Sequence, residues 1–233
     1  MKLADDLESH IQTLGEFVDD QEFRFNGIFP RVRDLALLPA IRKILESSED
    51  EESLKKALKK LKMHALVDEW KGQCSASLVE AINTAVPSLK LPEDANMEEL
   101  AIGAYLCCAN PKCSERGRAA GYPSVFTFPD ILIETCPLKS DPQPLDTADD
   151  YTTAIQQTCS ETGHAYAAWV FPMMKRIIEA CGCNPKTATR EEMDELDVRL
   201  VCAHKGCNSE VHTQGVEAFY TWRSAVSFSL TSP

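Results

Sequence analysis

Residues 48–70, SEDEESLKKALKKLKMHALVDEW, decide the fold class. Ser48 followed three residues later by Glu51 is a capping-box pattern, with Ser48 as the N-cap. Behind it Leu54, Leu58, Leu61, Ala65 and Leu66 form an apolar stripe at helical spacing. Glu51 with Lys55, and Glu52 with Lys56, stand four apart in the favourable orientation. The stretch therefore predicts a helix that runs past Trp70, weakens at Gly72 and resumes from Leu78 to Ala85. Pro87 and Pro92 end it. Its five lysines between residues 55 and 62 read as a solvated face balanced by Glu49 to Glu52.

Working outward, the same period recurs. Leu3, Leu7, Ile11 and Leu14 predict an N-terminal helix. Arg31 to Leu45 is another apolar-periodic stretch, kinked or restarted at Pro39. Downstream, helices are predicted over Met97 to Cys108, Pro123 to Cys136 (interrupted at Pro129) and Ala165 to Cys181 (with Pro172 inside). Thr189 with Glu192 is a second capping box, opening a short acidic helix to Asp197. Val198 to Val201 suits a brief strand. Gly215 to Leu230 reads as a terminal helix with Phe219, Trp222 and Val226 on one stripe. Residues 137–150, rich in Pro and Asp, read as a loop. The expected class is mainly α: an irregular multi-helix domain with a Cys/His-rich loop region and at most one or two short strands.

Composition bounds the function. The chain has 233 residues, 24 Lys+Arg and 36 Asp+Glu, for a net charge of −12; 44% is hydrophobic and 26% charged. A chain this long hides roughly 70–75% of its unfolded surface, so a core needs no metal. Duplex nucleic acid and anionic membranes are poor partners for an acidic protein. The N-terminus, MKLADDLESHIQTLGEF, lacks the apolar core of a secretory signal. The nearly uncharged apolar run Ala165 to Met174 is ten residues, broken by Pro172, and far short of the about 20 residues of a membrane span. A cytoplasmic or nuclear location is expected, where thiols stay reduced.

In that setting the ten cysteines are core filler, metal ligands or reactive groups. Nine follow Ala101; only Cys74 precedes it. This composition shift divides residues 1–95, a helical region, from 96–233, a Cys/His-rich helical module. Two clusters carry the chemistry. In LCCANPKCSERG, Cys108 and Cys113 flank a turn with Pro111, and thiolates so spaced can bind one tetrahedral zinc. Cys107 or Cys108 can instead pack in the core. In LVCAHKGCNSEVH, Cys202 and Cys207 stand with His204 and His212 around Gly206. Sulfur and imidazole donors suit zinc over magnesium or calcium. Cys136, Cys159, His164, Cys181 and Cys183 carry weaker signals. No C-x-x-C, H-E-x-x-H, G-x-S-x-G, P-loop or G-x-G-x-x-G occurs.

Five segments in fixed order carry a resemblance: VDEWKGQCSASLVEAI, ELAIGAYLCCANPKC, VFTFPDILIETC, CGCNPKTATREEMDELDVRLVC and FYTWRSAVSF. Over roughly residues 20–228 the chain resembles the region downstream of the F-box in uncharacterised fungal F-box-like proteins with paired cysteine motifs. The resemblance implies an adaptor whose F-box docks on a ubiquitin-ligase scaffold while the following region recognises a target. The chain departs from that pattern at Glu134 and Phe228, where related chains tend to carry His, and residues 1–30 show no F-box. The expectation is a non-catalytic protein–protein interaction module, with a structural zinc joining Cys108/Cys113 to Cys202/Cys207 and the acidic balance favouring a basic partner surface. Alternatives are a thiol- or zinc-dependent hydrolase using Cys159/His164 or Cys181/Cys183, and a metal-free helical scaffold.

Overall fold

A computed structural model of the chain describes residues 2–22, 28–107, 125–132, 151–152, 155, 167–201 and 219–231. The expected mainly α class is found. Eight helices lie among the described residues: α1 (Lys2–Glu22), α2 (Val32–Leu37), α3 (Pro39–Ser47), α4 (Glu51–Leu58), α5 (Met63–Ala85), α6 (Val170–Ala180), α7 (Arg190–Glu195) and α8 (Trp222–Thr231). Four two-residue strands, β1 (Leu106–Cys107), β2 (Val125–Phe126), β3 (Leu200–Val201) and β4 (Phe219–Tyr220), form two antiparallel pairs. The chain divides into two compact units, Met1–Cys74 with Leu132–His164, and Ser75–Ile131 with Ala165–Pro233. This contact boundary falls within α5, whereas the cysteine distribution shifts near residue 95. Cysteine content follows local chemistry, and compactness follows apolar burial.

The first unit is built on α1 to α4 and the start of α5. Ile11, Leu14 and Val18 of α1 pack with Leu35, Ile41, Leu45, Leu54 and Leu58, all buried. Pro39 restarts the helix as its spacing suggests: Leu38 is extended, the conformation favoured before proline, and Pro39 takes the first helical position. The cap of α4 lies two residues beyond the expected Ser48. Asp50 accepts from the Ser53 N–H at 2.7 Å, and Ser53 Oγ accepts from the Asp50 N–H at 3.3 Å. The bond from the Ser53 N–H, and next the Ser53 side chain, hold the Asp50 carboxyl below its ordinary value. Ser48 instead closes α3, its hydroxyl donating to the Ile44 carbonyl at 2.8 Å.

The single long helix expected from residue 51 onward is two. Three-residue bonds from Lys60 to Ala57 and from Leu61 to Leu58 tighten the chain out of α4. Leu58 and Met63 would stand about 140° apart on one straight helix. The break lets both join one core. From Met63, α5 continues through Gly72 without interruption.

Two helix ends in this unit are closed from far along the sequence. His10 Nδ1 donates to the Leu45 carbonyl in the last turn of α3 at 3.0 Å. Tyr151 Oη donates to the Ala36 carbonyl in the last turn of α2 at 2.9 Å. Terminal carbonyls lack helical partners, so a buried end needs such donors. Arg42 lies 4.4 Å over the Tyr151 ring.

In the second unit, α5 ends in a loop held by its own side chain. Asn83 donates to the Leu91 carbonyl at 3.0 Å and accepts the Leu91 N–H at 2.8 Å. The helices expected over Met97 to Cys108 and Pro123 to Cys136 are absent from their described parts. A 3-10 turn at Ala101–Gly103 leads into β1, and β2 into a 3-10 turn at Asp130–Leu132. The strands register Leu106 with Phe126 and Cys107 with Val125. β-Branched and aromatic residues there favour paired strands. Pro172 sits in the first turn of α6, where its missing N–H costs no helical bond. The terminal helix starts at Trp222, and Phe219 lies in β4 rather than on its stripe.

The Tyr151→Phe variant, which keeps the ring under Arg42 but deprives the Ala36 carbonyl of its donor, is expected to lose about 1 kcal/mol of stability by urea unfolding.

Candidate functional site: the strands that lead to the cysteine clusters

Every residue expected to hold zinc, Cys108, Cys113, Cys202, His204, Cys207 and His212, lies outside the described residues, as do Cys136, Cys159 and His164. What is described is the frame from which both clusters leave. β1 ends one residue before Cys108, and β3 ends one residue before Cys202. Both strands belong to the second unit.

The frame begins with backbone bonds. Leu100 forms an antiparallel bridge with Thr189. The Ala101 N–H donates to the Ala188 carbonyl and the Arg190 N–H to the Glu99 carbonyl, each at 2.9 Å. The side chain of Arg190 follows, donating to the Met97 carbonyl at 3.2 Å. Burial, and next the nearby Arg223 charge, pull the Arg190 guanidinium below its ordinary value. The capping box of Thr189 and Glu192 is present as expected and starts α7 at this bridge.

Asp194 on α7 then ties in the C-terminal segment. Its Oδ1 accepts from Trp222 Nε1 and from Arg223 Nε, each at 2.8 Å, and its Oδ2 accepts from Arg223 Nη2 at 2.5 Å. Arg223 Nη1 donates to Tyr105 Oη at 3.1 Å. The Tyr105 ring meets the buried Trp222 edge-on at 5.7 Å, and the Arg223 guanidinium lies 4.8 Å from the Trp222 ring. Tyr105 immediately precedes β1. Trp222 follows β4, which pairs with β3 through Leu200–Tyr220 and Val201–Phe219. The bases of the two strand pairs are thus joined through four side chains. The Arg223 hydrogen bonds hold the Asp194 carboxyl below its ordinary value, and Asp194 in turn pushes Arg223 up.

Sequence reasoning located Trp222 and Arg223 only as a Trp-Arg helix motif and missed Asp194 and Tyr105. The signal was weak. One Asp in an acidic helix names no partner, and its partners lie 28 and 29 residues away.

The Cys181-Gly182-Cys183 segment has a structural explanation. Gly182 has φ +80°; its N–H donates to the Glu179 carbonyl, and the Cys183 N–H to the Ile178 carbonyl. This is a Schellman stop for α6, with glycine in the left-handed position. Both thiols are free. Burial pushes the Cys181 thiol up, with Cys183 adding to it, away from the thiolate a nucleophile needs. Cys74 packs against the first core, its thiol pushed up to about 12 chiefly by burial and next by Asp34.

Among the described residues no group of three or more His, Cys, Asp or Glu could hold a metal, and no helix is long and apolar enough to cross a membrane. No family model, curated protein or solved structure matches the chain.

Two outcomes follow from this geometry. The Gly182→Ala variant is expected to lose about 1–2 kcal/mol, because a Cβ strains that backbone although it meets nothing within 4 Å, while Cys181→Ser changes stability less. Both are read by thermal unfolding. For Asp194→Asn, the exposed charge pair implies a loss of at most about 1 kcal/mol at neutral pH. The Asp194 carboxyl titrates lower folded than unfolded, so its stabilisation is present above the ordinary value of 3.8 and fades as pH falls below it. The stability gap between wild type and Asp194→Asn, followed by urea unfolding across acidic pH, should close in that direction.

Proposed function

We propose that the chain is a non-catalytic protein-recognition module whose second unit carries one structural zinc, held by Cys108 and Cys113 from one loop and by Cys202 and Cys207 from the other. His204 and His212 are alternative donors in the second loop. The observation that carries this reading is the shared footing of the two loops. Tyr105 is three residues before Cys108, about 11 Å of extended chain at most. Leu200, paired with Tyr220 at the base of the other stem, is two residues before Cys202. With Tyr105 and Trp222 in ring contact, donors on both loops have a common region within reach. Four protein donors would close a tetrahedral site, leaving no position for water and so a structural role.

Recognition is supported by the exposed apolar side chains of the same unit. Val201 and Phe219 face each other across the strand pair yet are 45% and 63% exposed, and Trp169 is 51% exposed. In the F-box-like setting suggested by the sequence resemblance, this unit would be the target-binding half of a ubiquitin-ligase adaptor. The raised Cys181 thiol gives no support to thiol catalysis at that segment.

Elemental mass spectrometry of the purified, reduced protein is expected to find about one zinc per chain. The Cys113→Ala/Cys207→Ala double variant should lose the metal and unfold at a lower temperature. A metal-free wild type would overturn the clamp and favour the metal-free helical scaffold.

A further inference from the structure

A shallow groove of about 520 Å³ opens on the second unit, between the turn that follows α6 and one face of α7. Cys183, Thr187 and Ala188 form one side. Glu192, Glu195 and Leu196 form the other; at spacings of three and four they share a helix face. Ala188 is buried, whereas Leu196 is 49% exposed. The groove therefore offers the half-exposed Leu196 side chain beside two carboxylates.

The charges around it are unequally satisfied. Asp194, on a different face of α7, is taken by Trp222 and Arg223. Asp197 pairs with Arg199 at 2.5 Å. Glu192 uses one oxygen to accept the Thr189 N–H at 2.9 Å. Glu195 has no ion-pair partner among the described residues, and nor does Glu192.

We infer that this groove receives a segment of a partner protein that carries a large aliphatic or aromatic side chain beside Lys or Arg. The apolar side chain would cover Leu196, and the cation would answer Glu195 and Glu192. Charge complementarity selects the basic partner and suppresses acidic ones. The openness of the groove favours a passing chain segment over a small molecule, whose site would enclose most of its surface. This inference rests on reading the chain as a protein-recognition module, and names the chemistry of what it recognises.

The test uses the full chain and fluorescein-labelled synthetic decapeptides in which Leu or Phe stands among Lys and Arg in a Gly-Ser background. Matched peptides with Glu replacing Lys and Arg are the control. Fluorescence anisotropy is expected to show saturable binding of the basic–apolar set and none of the acidic set. Glu195→Lys and Leu196→Ser should each weaken binding about tenfold without moving the thermal midpoint, since both side chains are exposed. Glu93→Lys, an exposed site outside the groove with the same change in net charge, should leave it unchanged. No binding of the basic set, or equal loss in Glu93→Lys and Glu195→Lys, would overturn the groove. The zinc measurement is separate. A zinc-free chain that binds the peptides at the groove removes the clamp alone, and a zinc-loaded chain that ignores them removes the groove alone.

Discussion

A helix of six to eleven residues is marginal in water, because nucleation fixes several dihedrals for one hydrogen bond. Six of the eight helices among the described residues are that short. Each persists only through what the rest of its unit supplies: a buried face and partners for its terminal groups. Asp50 and Ser53 close one start, Thr189 and Glu192 another. Gly182 closes one end locally. Two further ends are closed by His10 and Tyr151, 35 and 115 residues from the carbonyls they reach. The short elements are thus products of tertiary contact as much as of local propensity.

The same dependence shapes α7. This six-residue helix is tied at its start to the segment before β1, and through Asp194 to the start of α8. An exposed ion pair alone contributes little. The Asp194–Arg223 pair is bidentate, shares its acceptor with the buried Trp222 and sits against Tyr105. Its effect is positional: it joins the bases of the two strand pairs. The other face of the helix carries Glu192, Glu195 and Leu196 into the groove. One short acidic segment therefore divides its charges between holding the frame and facing outward.

Local chemistry was legible where the deciding partner lay within a few residues. The Thr189/Glu192 box, the restart at Pro39 and the end of α5 before Pro87 were all readable in this way. The reading failed where tertiary demand chose between local options. Ser48 and Asp50 both suit a cap, and burial of Leu54 and Leu58 with the Asp50–Ser53 exchange selected the second. The apolar stripe from Leu54 to Leu66 is continuous on paper, but Leu58 and Met63 share a core only after a break. Leu106 and Cys107 looked like the end of a helix because the pairing that makes them a strand comes from Val125 and Phe126. Of the candidate site, the cysteine and histidine positions came from spacing alone, whereas Asp194 and Tyr105 had no local signature.

The sequence by itself determined the mainly α class, because apolar spacing and caps are properties of neighbouring residues. It also marked the two cysteine clusters and the acidic surplus. Only the tertiary structure decided where helices stop, which strands pair, and that Tyr105, Asp194, Trp222 and Arg223 meet. Those outcomes depend on groups brought together across tens to more than a hundred residues, and hydrogen bonds and ring contacts act only over a few ångströms.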